Sequence, residues 1–503
     1  MAKAEKDFDS ETTGLEMNAA DGGEASVAIC SVKPKVHFNL WQTLGMNFSI
    51  TATPVTVGVY TALTIGLGGF PFYIWALVVA SFFQLITCLA IAELASAIPH
   101  SSGPCFWVQH LAPPKYSRFL GYLTGWLTTA LWWFLTTGAN LFLCQLTLGA
   151  AQANNPGYQP PQWHYFLVYC AWTTMDFLPN LPRLFKVLPY MLTACVVVIN
   201  ATAVYLLVSL LVRATPKQTA HTVFVQVVNE SGWPSNGVVF FLALTPGLLL
   251  VAGFDSVTHI TDELETPTKQ VPQVMIGSAL LSAVTALIMA IVYSFCAVNV
   301  ANLLNPYGHQ PIIQLVFDTL RSPALATLAS ALMILVGYFA AVATFTSCNR
   351  LYWSFAREGG LPFSRALARL STSDALPLNA MLVNYVLTLG LGTIQLGSLT
   401  ALNALAGSAV VCTTLTYSLL FGLLLWRGRD FLDSDRWFNL GRFGTVVYVV
   451  AMVWCMFVTV WLCFPLYLPV TLPYMNWTSV VVVGISVLSV GYWFLFRPQP
   501  LQD

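Results

Sequence analysis

The chain has 503 residues, of which 57% are hydrophobic and only 8% charged, and its formal net charge is zero. An ordinary soluble domain carries about 25% charged residues, so the composition excludes one and reads as an all-α integral membrane protein. Zero net charge argues against nucleic acid as a partner.

Residues 1–37 read as a disordered cytosolic tail, acidic at Asp7, Asp9, Glu11, Glu16, Asp21 and Glu24. The tail has no apolar h-region, so no signal peptide is expected and the first span acts as the insertion signal. Lys3, Lys6, Lys33 and Lys35 read as solvated lysines. A membrane domain over 38–497 and a short cytosolic tail, 498–503, complete the organisation.

Twelve apolar runs follow, each near the ~20 residues that a bilayer demands. They fall at 40–67, 72–97, 119–149, 163–180, 187–212, 238–259, 273–299, 324–347, 377–396, 402–426, 444–465 and 477–496. The fourth is diluted by Trp172 to Asp176. Counting Lys and Arg on alternate sides gives a strong bias: only Arg213, Lys217 and Arg321 fall opposite the N-terminus, against the other 18 of 21. That places both termini in the cytosol. Asn229-Glu230-Ser231 and Asn476-Trp477-Thr478 are N-glycosylation sequons on the external side. In the external seventh loop, Pro311 to Asp318 has the pattern of an amphipathic surface helix.

Two runs are interrupted. The first is broken by Ser49-Ile50-Thr51-Ala52-Thr53-Pro54, the sixth by Thr245-Pro246-Gly247 and again by Gly253-Phe254-Asp255-Ser256. Broken backbone at membrane depth is tolerated only where it is buried or lines a cavity. Paired breaks in corresponding halves point to a transporter's substrate site. The substrate-binding candidates are therefore Ser49, Ile50, Thr51, Ala52, Thr53, Gly253, Phe254, Asp255 and Ser256.

Asp255 is the one carboxylate that the pattern places near the middle of an apolar span, and an ionisable residue there is a functional-site hypothesis. It can pair a substrate ammonium, carry a proton or cap the half-helix that follows. His259, four residues on, faces the same way on an α-helix; it reads as a neutral interfacial histidine or as a group sharing a proton with Asp255. Asn200, mid-span, orients the core or bonds across helices; with Asp255 and His259 it completes the candidate ion-coupling set. Phe254, Trp41, Trp132, Trp133 and Tyr338 are candidates for an aromatic wall. Thr344, Thr346 and Ser347 offer hydroxyls to an ion. Glu93, Asp262, Glu263, Arg350 and Arg357 are candidates for gate pairs, although loop charges usually report only topology.

The eleven cysteines contain no CxxC pair and mostly lie in apolar runs, where they read as small buried hydrophobes. Neither disulfides, a metal site nor a cofactor is expected.

Four segments carry a family resemblance: FSITATPVTVGVYTAL (Phe48 to Leu63), ELASAIPHSSGPCFW (Glu93 to Trp107), GFDSVTHITDELETPTKQVPQVM (Gly253 to Met275) and CNRLYWSFAREGGLPFS (Cys348 to Ser364). Through them the chain resembles the amino acid–polyamine–organocation superfamily and, within it, the fungal amino-acid/choline transporters. The resemblance implies twelve transmembrane helices, the first ten in an inverted five-plus-five repeat, with substrate between broken helices 1 and 6. Members carry amino acids, γ-aminobutyrate, choline, ethanolamine or polyamines. The chain departs at helix five: some relatives have a mid-helix lysine in place of sodium, where this chain has Asn200 and keeps Lys186 at the cytosolic end.

The expected function is secondary transport of a small amine or zwitterion, coupled to protons, in the plasma membrane or else a vacuolar or other internal membrane. A carrier of a specialised-metabolite precursor or product is the alternative within that class. A nutrient sensor on the same scaffold is the competing class, disfavoured by the short tails. No HExxH or GxSxG occurs, so an enzyme is not expected, and no filter loop or charge ring marks a channel.

Overall fold

Apolar side chains facing lipid leave the backbone to satisfy its own hydrogen bonds, and the helix is the one open-ended way to do so. The computed structural model describes residues 39–371, 376–396, 399–471 and 475–496, and these are predominantly helical. The two expected tails, with the tail lysines and Arg497, lie outside the described residues.

Among the described residues, nine helices are long and apolar enough to cross a bilayer: Gly69–Ala97, Pro114–Asn154, Thr193–Arg213, Asn236–Glu263, Pro267–Cys296, Pro323–Arg357, Ala404–Arg427, Gly441–Trp461 and Thr478–Phe496. The other three expected runs form shorter pieces. The first divides into Leu40–Thr51, Thr53–Tyr60 and Ala62–Ile65. The fourth becomes Gln162–Phe177 followed by a 3-10 turn, Leu178–Asn180, and the ninth becomes Leu378–Gly392 followed by another, Thr393–Leu396. Proline opens Pro114–Asn154, Pro267–Cys296 and Pro323–Arg357, where its missing N–H costs nothing.

The first run lies at the centre, against Leu188–Arg213, Pro267–Cys296 and Pro323–Arg357. Asn39 starts it with a capping box: its side chain accepts from Gln42 N at 2.8 Å, and Gln42 Oε1 accepts from Asn39 N at 3.1 Å. A two-residue antiparallel bridge, Leu67–Gly68 with Val228–Asn229, ties the end of this run to the loop carrying the first sequon. At the periphery, Thr478–Phe496 leaves Leu488, Phe494 and Leu495 exposed, as a lipid-facing helix does.

Two expectations fail here. Pro311–Leu320 forms a helix, but not a surface one: Ile312, Ile313, Leu315 and Val316 are buried. Ile312 packs so closely on Gly58 that any side chain there would collide with it. Asn200 is exposed on the outer face of its helix and donates to its own Val196 carbonyl at 2.7 Å, so it neither enters the core nor bridges helices.

Candidate functional site

Both breaks have a definite geometry. In the first, Ala52 adopts a left-handed conformation (φ 42°, ψ 41°) between Leu40–Thr51 and Thr53–Tyr60. Pro54, in the first turn of the second piece, cannot supply an N–H to continue the helix. The Thr56 hydroxyl donates to the Thr51 carbonyl at 2.6 Å, satisfying a group that the break frees. Thr53 donates to Thr51 Oγ1 at 2.9 Å, and Thr51 Oγ1 lies 3.1 Å from Ser282 Oγ. Ser49 turns back onto the Met46 carbonyl at 2.7 Å.

In the second, Asn236–Leu242 and Thr245–Leu250 lead to Gly253, which is left-handed (φ 69°). Phe254–Glu263 follows as 3-10 helix. The two breaks meet: a Cβ added to Gly253 would lie 3.0 Å from Ile50 Cγ2. Between them is a cavity of about 90 Å³, bordered by Ile50, Thr51, Ala52, Ala252, Gly253 and Thr344, and by Phe134, Gly138 and Phe142 of Pro114–Asn154. Its walls are mostly apolar with a few polar groups, as small-molecule sites are.

The polar lock between the breaks is Asn47, which sequence reasoning missed. Its Nδ2 donates to the Phe254 carbonyl at 3.1 Å and to Ser278 Oγ at 2.5 Å, and its Oδ1 accepts from the Ser256 hydroxyl. An amide inside an apolar run, two residues before Ser49, was the available signal.

Asp255 is buried but does not border the cavity. Its carboxylate faces Tyr417 and Cys88, and its Oδ2 has no hydrogen-bond partner. No side chain caps the Phe254–Glu263 segment, so the capping role is not realised here. His259 lies near enough to Asp255 for their charges to interact but forms no ion pair with it: its Nδ1 lies 3.1 Å from the Ser101 carbonyl and its ring stands edge-on to Trp132 at 5.4 Å. The reason is the winding. A 3-10 helix has three residues per turn, so a four-residue spacing rotates side chains about 120° apart instead of aligning them.

The aromatic wall does not assemble. Trp41 is 75% exposed, Trp133 packs on Tyr352, and Tyr338 bonds the Met175 carbonyl at 3.2 Å. Phe254 does sit at the break, near Tyr417. Of the three hydroxyls, Thr344 borders the cavity, Thr346 donates to Asn180 Oδ1 at 3.0 Å, and Ser347 is buried.

The charge pairs do form. Arg350 Nε meets Glu263 Oε1 at 2.7 Å with both side chains buried, and Arg357 lies 3.8 Å from Asp262. Glu93 takes Arg429 at 2.7 Å and Arg436 at 3.1 Å, two partners that had counted only toward topology. A further buried carboxylate, one without an ion pair among the described residues, also appears: Asp176, in the diluted fourth run.

Of the sequon asparagines, Asn229 is exposed and donates to the Trp233 carbonyl at 2.9 Å. Asn476 is committed to two backbone carbonyls, Leu462 at 2.7 Å and Phe464 at 2.8 Å.

A polytopic helical body with two broken runs around a cavity is the build of a membrane transporter. The chain belongs to the amino acid permease family, whose model matches residues 38–487, within the amino acid–polyamine–organocation superfamily. It is 28% identical to the choline transporter of Saccharomyces cerevisiae over 476 residues, covering 94% of this chain and 84% of that protein. It is 25% identical to the swainsonine transporter of Arthroderma benhamiae, over 95% of this chain and 94% of the relative. With the 7-keto 8-aminopelargonic acid transporter of Saccharomyces cerevisiae it shares 25% identity, over 96% and 95% of the two chains. It is a transporter, not an enzyme.

Proposed function

We propose that the chain is a secondary active carrier of a small amine-bearing solute (amino acid, choline, γ-aminobutyrate or polyamine), driven by protons and working by alternating access. The carrying observation is that both breaks border one cavity, bringing Ile50 within reach of Gly253. Among the first amides of the Phe254–Glu263 segment, that of Ser256 donates to the Gly253 carbonyl at 3.1 Å; those of Phe254 and Asp255 have no acceptor within the segment and offer donors to a carboxylate or hydroxyl, while Asp255, two residues beyond Gly253 of the cavity wall, answers an ammonium or a proton. Choline, swainsonine and 7-keto 8-aminopelargonic acid, the solutes in the relatives' names, each bear an amine or quaternary nitrogen.

In this reading twelve spans in a five-plus-five repeat surround the site, both termini are cytosolic, and the plasma membrane is the location. Asn229, exposed, is the better placed glycosylation site. The swainsonine relative supports a second reading, in which the cargo is a specialised-metabolite precursor or product.

Uptake of a radiolabelled solute panel by cells expressing the full chain tests both readings. Saturable accumulation of one amine class, collapsed by a protonophore, is expected. No accumulation of any solute would favour a sensor, and sodium-dependent uptake that survives the protonophore would overturn proton coupling.

A further inference from the structure

Behind the cavity, one helix further out, lies a seam of unsatisfied oxygens. Asp176, in the last turn of Gln162–Phe177, is fully buried, and neither carboxylate oxygen has a hydrogen-bond partner. Asn140 of Pro114–Asn154 is the polar side chain within hydrogen-bonding reach of it; its Nδ2 also donates to the Thr136 carbonyl at 3.2 Å, and its Oδ1 accepts from no other group. The buried hydroxyls of Thr137 and Thr173, one turn from Asn140 and Asp176, both face the phenol of Tyr169. Among the described residues no Lys, Arg or His forms an ion pair with Asp176. The other titratable groups facing it are phenols. Tyr169, on its own helix, donates to the Thr388 carbonyl at 2.6 Å; Tyr338, from Pro323–Arg357, donates to the Met175 carbonyl. Tyr385, from Leu378–Gly392, reaches the neighbouring Thr174 and stacks on Phe177.

A bare carboxylate buried in protein is expensive, and an ionisable group buried inside a membrane helix bundle is a functional-site hypothesis. One proton resolves several vacancies together. The neutral acid becomes a donor, and Asn140 Oδ1 is an acceptor waiting for one. We infer that Asp176 is a proton-binding site of the carrier, taking a proton from water on one side of the membrane and returning it to water on the other. The inference rests on the proton-coupled reading above. Its link to substrate is short: Gly138, Ala139 and Phe142 border the cavity, while Thr137 and Asn140 lie on the other side of the same helix. A movement of that helix as the cavity fills changes what Asp176 faces.

The test needs no known substrate. Membranes holding the full chain are treated with dicyclohexylcarbodiimide, which reacts with protonated carboxyls in apolar surroundings, and the Asp176 peptide is quantified by mass spectrometry. The expected result is an adduct on Asp176 that falls about tenfold per pH unit above its midpoint and is indifferent to sodium. No adduct at any pH, an adduct without pH dependence, or protection by sodium at constant pH would each overturn the inference; the last would make the seam a sodium site. In proteoliposomes, with whichever of choline, γ-aminobutyrate or spermidine the wild type accumulates, Asp176→Asn is expected to lose the stimulation by an inward proton gradient, and Asp176→Glu to restore it with a shifted pH midpoint. A wild type indifferent to the gradient refutes the coupled reading itself. A coupled wild type with an equally coupled Asp176→Asn refutes only the role of Asp176.

Discussion

Asn47 holds Ser256: the side-chain carbonyl of the first broken run accepts from the hydroxyl of the second, while the Asn47 amide donates to the carbonyl of Phe254 at 3.1 Å. Asn47→Ala leaves Ser256 and the Phe254 carbonyl buried and unpaired, at a cost of about 1–3 kcal/mol. Thermal denaturation of the purified protein is expected to show the loss, and uptake is expected to fall because the breaks lose their mutual register. An unchanged melting temperature would mean that the lock is not holding.

The Arg350–Glu263 pair is a buried charge contact, 2.7 Å long, with side chains 4% and 2% exposed. Removing one member of such a pair strands the other and costs about 3–5 kcal/mol. Glu263→Ala and Arg350→Ala are each expected to destabilise strongly, and the double variant by less than their sum, in a thermal or denaturant double-mutant cycle. Additive effects would show that the two charges do not interact.

Glu358 gives a pH prediction. Burial pushes its carboxyl above the ordinary 4.5, against the contrary pull of Ser102, Cys105, Arg357 and Gln109. Cys105 Sγ donates to it at 3.0 Å and Gln109 Nε2 at 3.4 Å. The folded chain therefore binds this proton more tightly than the unfolded chain does. Its contribution to stability is full below about 4.5 and is lost as pH rises through the folded-state value. Glu358→Gln is neutral throughout. It is expected to melt above wild type at neutral pH, with the gap closing on acidification; a pH series of melting temperatures checks this.

Both ends of the chain are expected in the cytosol, from the Lys and Arg bias. Tags at either end are expected to resist protease in right-side-out vesicles. An accessible C-terminal tag would break the twelve-span topology.

How much of this was legible follows from what each feature depends on. The breaks at Ala52 and Gly253 could be read because Pro and Gly act locally on the backbone. The winding of Phe254–Glu263 could not, and with it went the alignment of Asp255 with His259. Asn200 sits on a helix that is apolar all round, so the sequence gives no stripe to say which face is inward. Asp176 was passed over because it lies near the end of a diluted run and not at its middle, and its burial depends on neighbouring helices. Glu93 finds Arg429 and Arg436 across more than 300 residues of chain, a distance that no local pattern bridges.

The most direct test of the central claim, that the meeting of the two breaks is the transport site, is solute uptake by Gly253→Val and Asp255→Asn at matched surface abundance. Valine at a left-handed position is strained, and its side chain would press on Ile50 at the cavity. Asparagine keeps the shape of Asp255 and removes the charge. The account predicts that both variants reach the membrane at wild-type levels and that uptake collapses in each. Normal uptake by both would contradict it and move the site to another pair of helices.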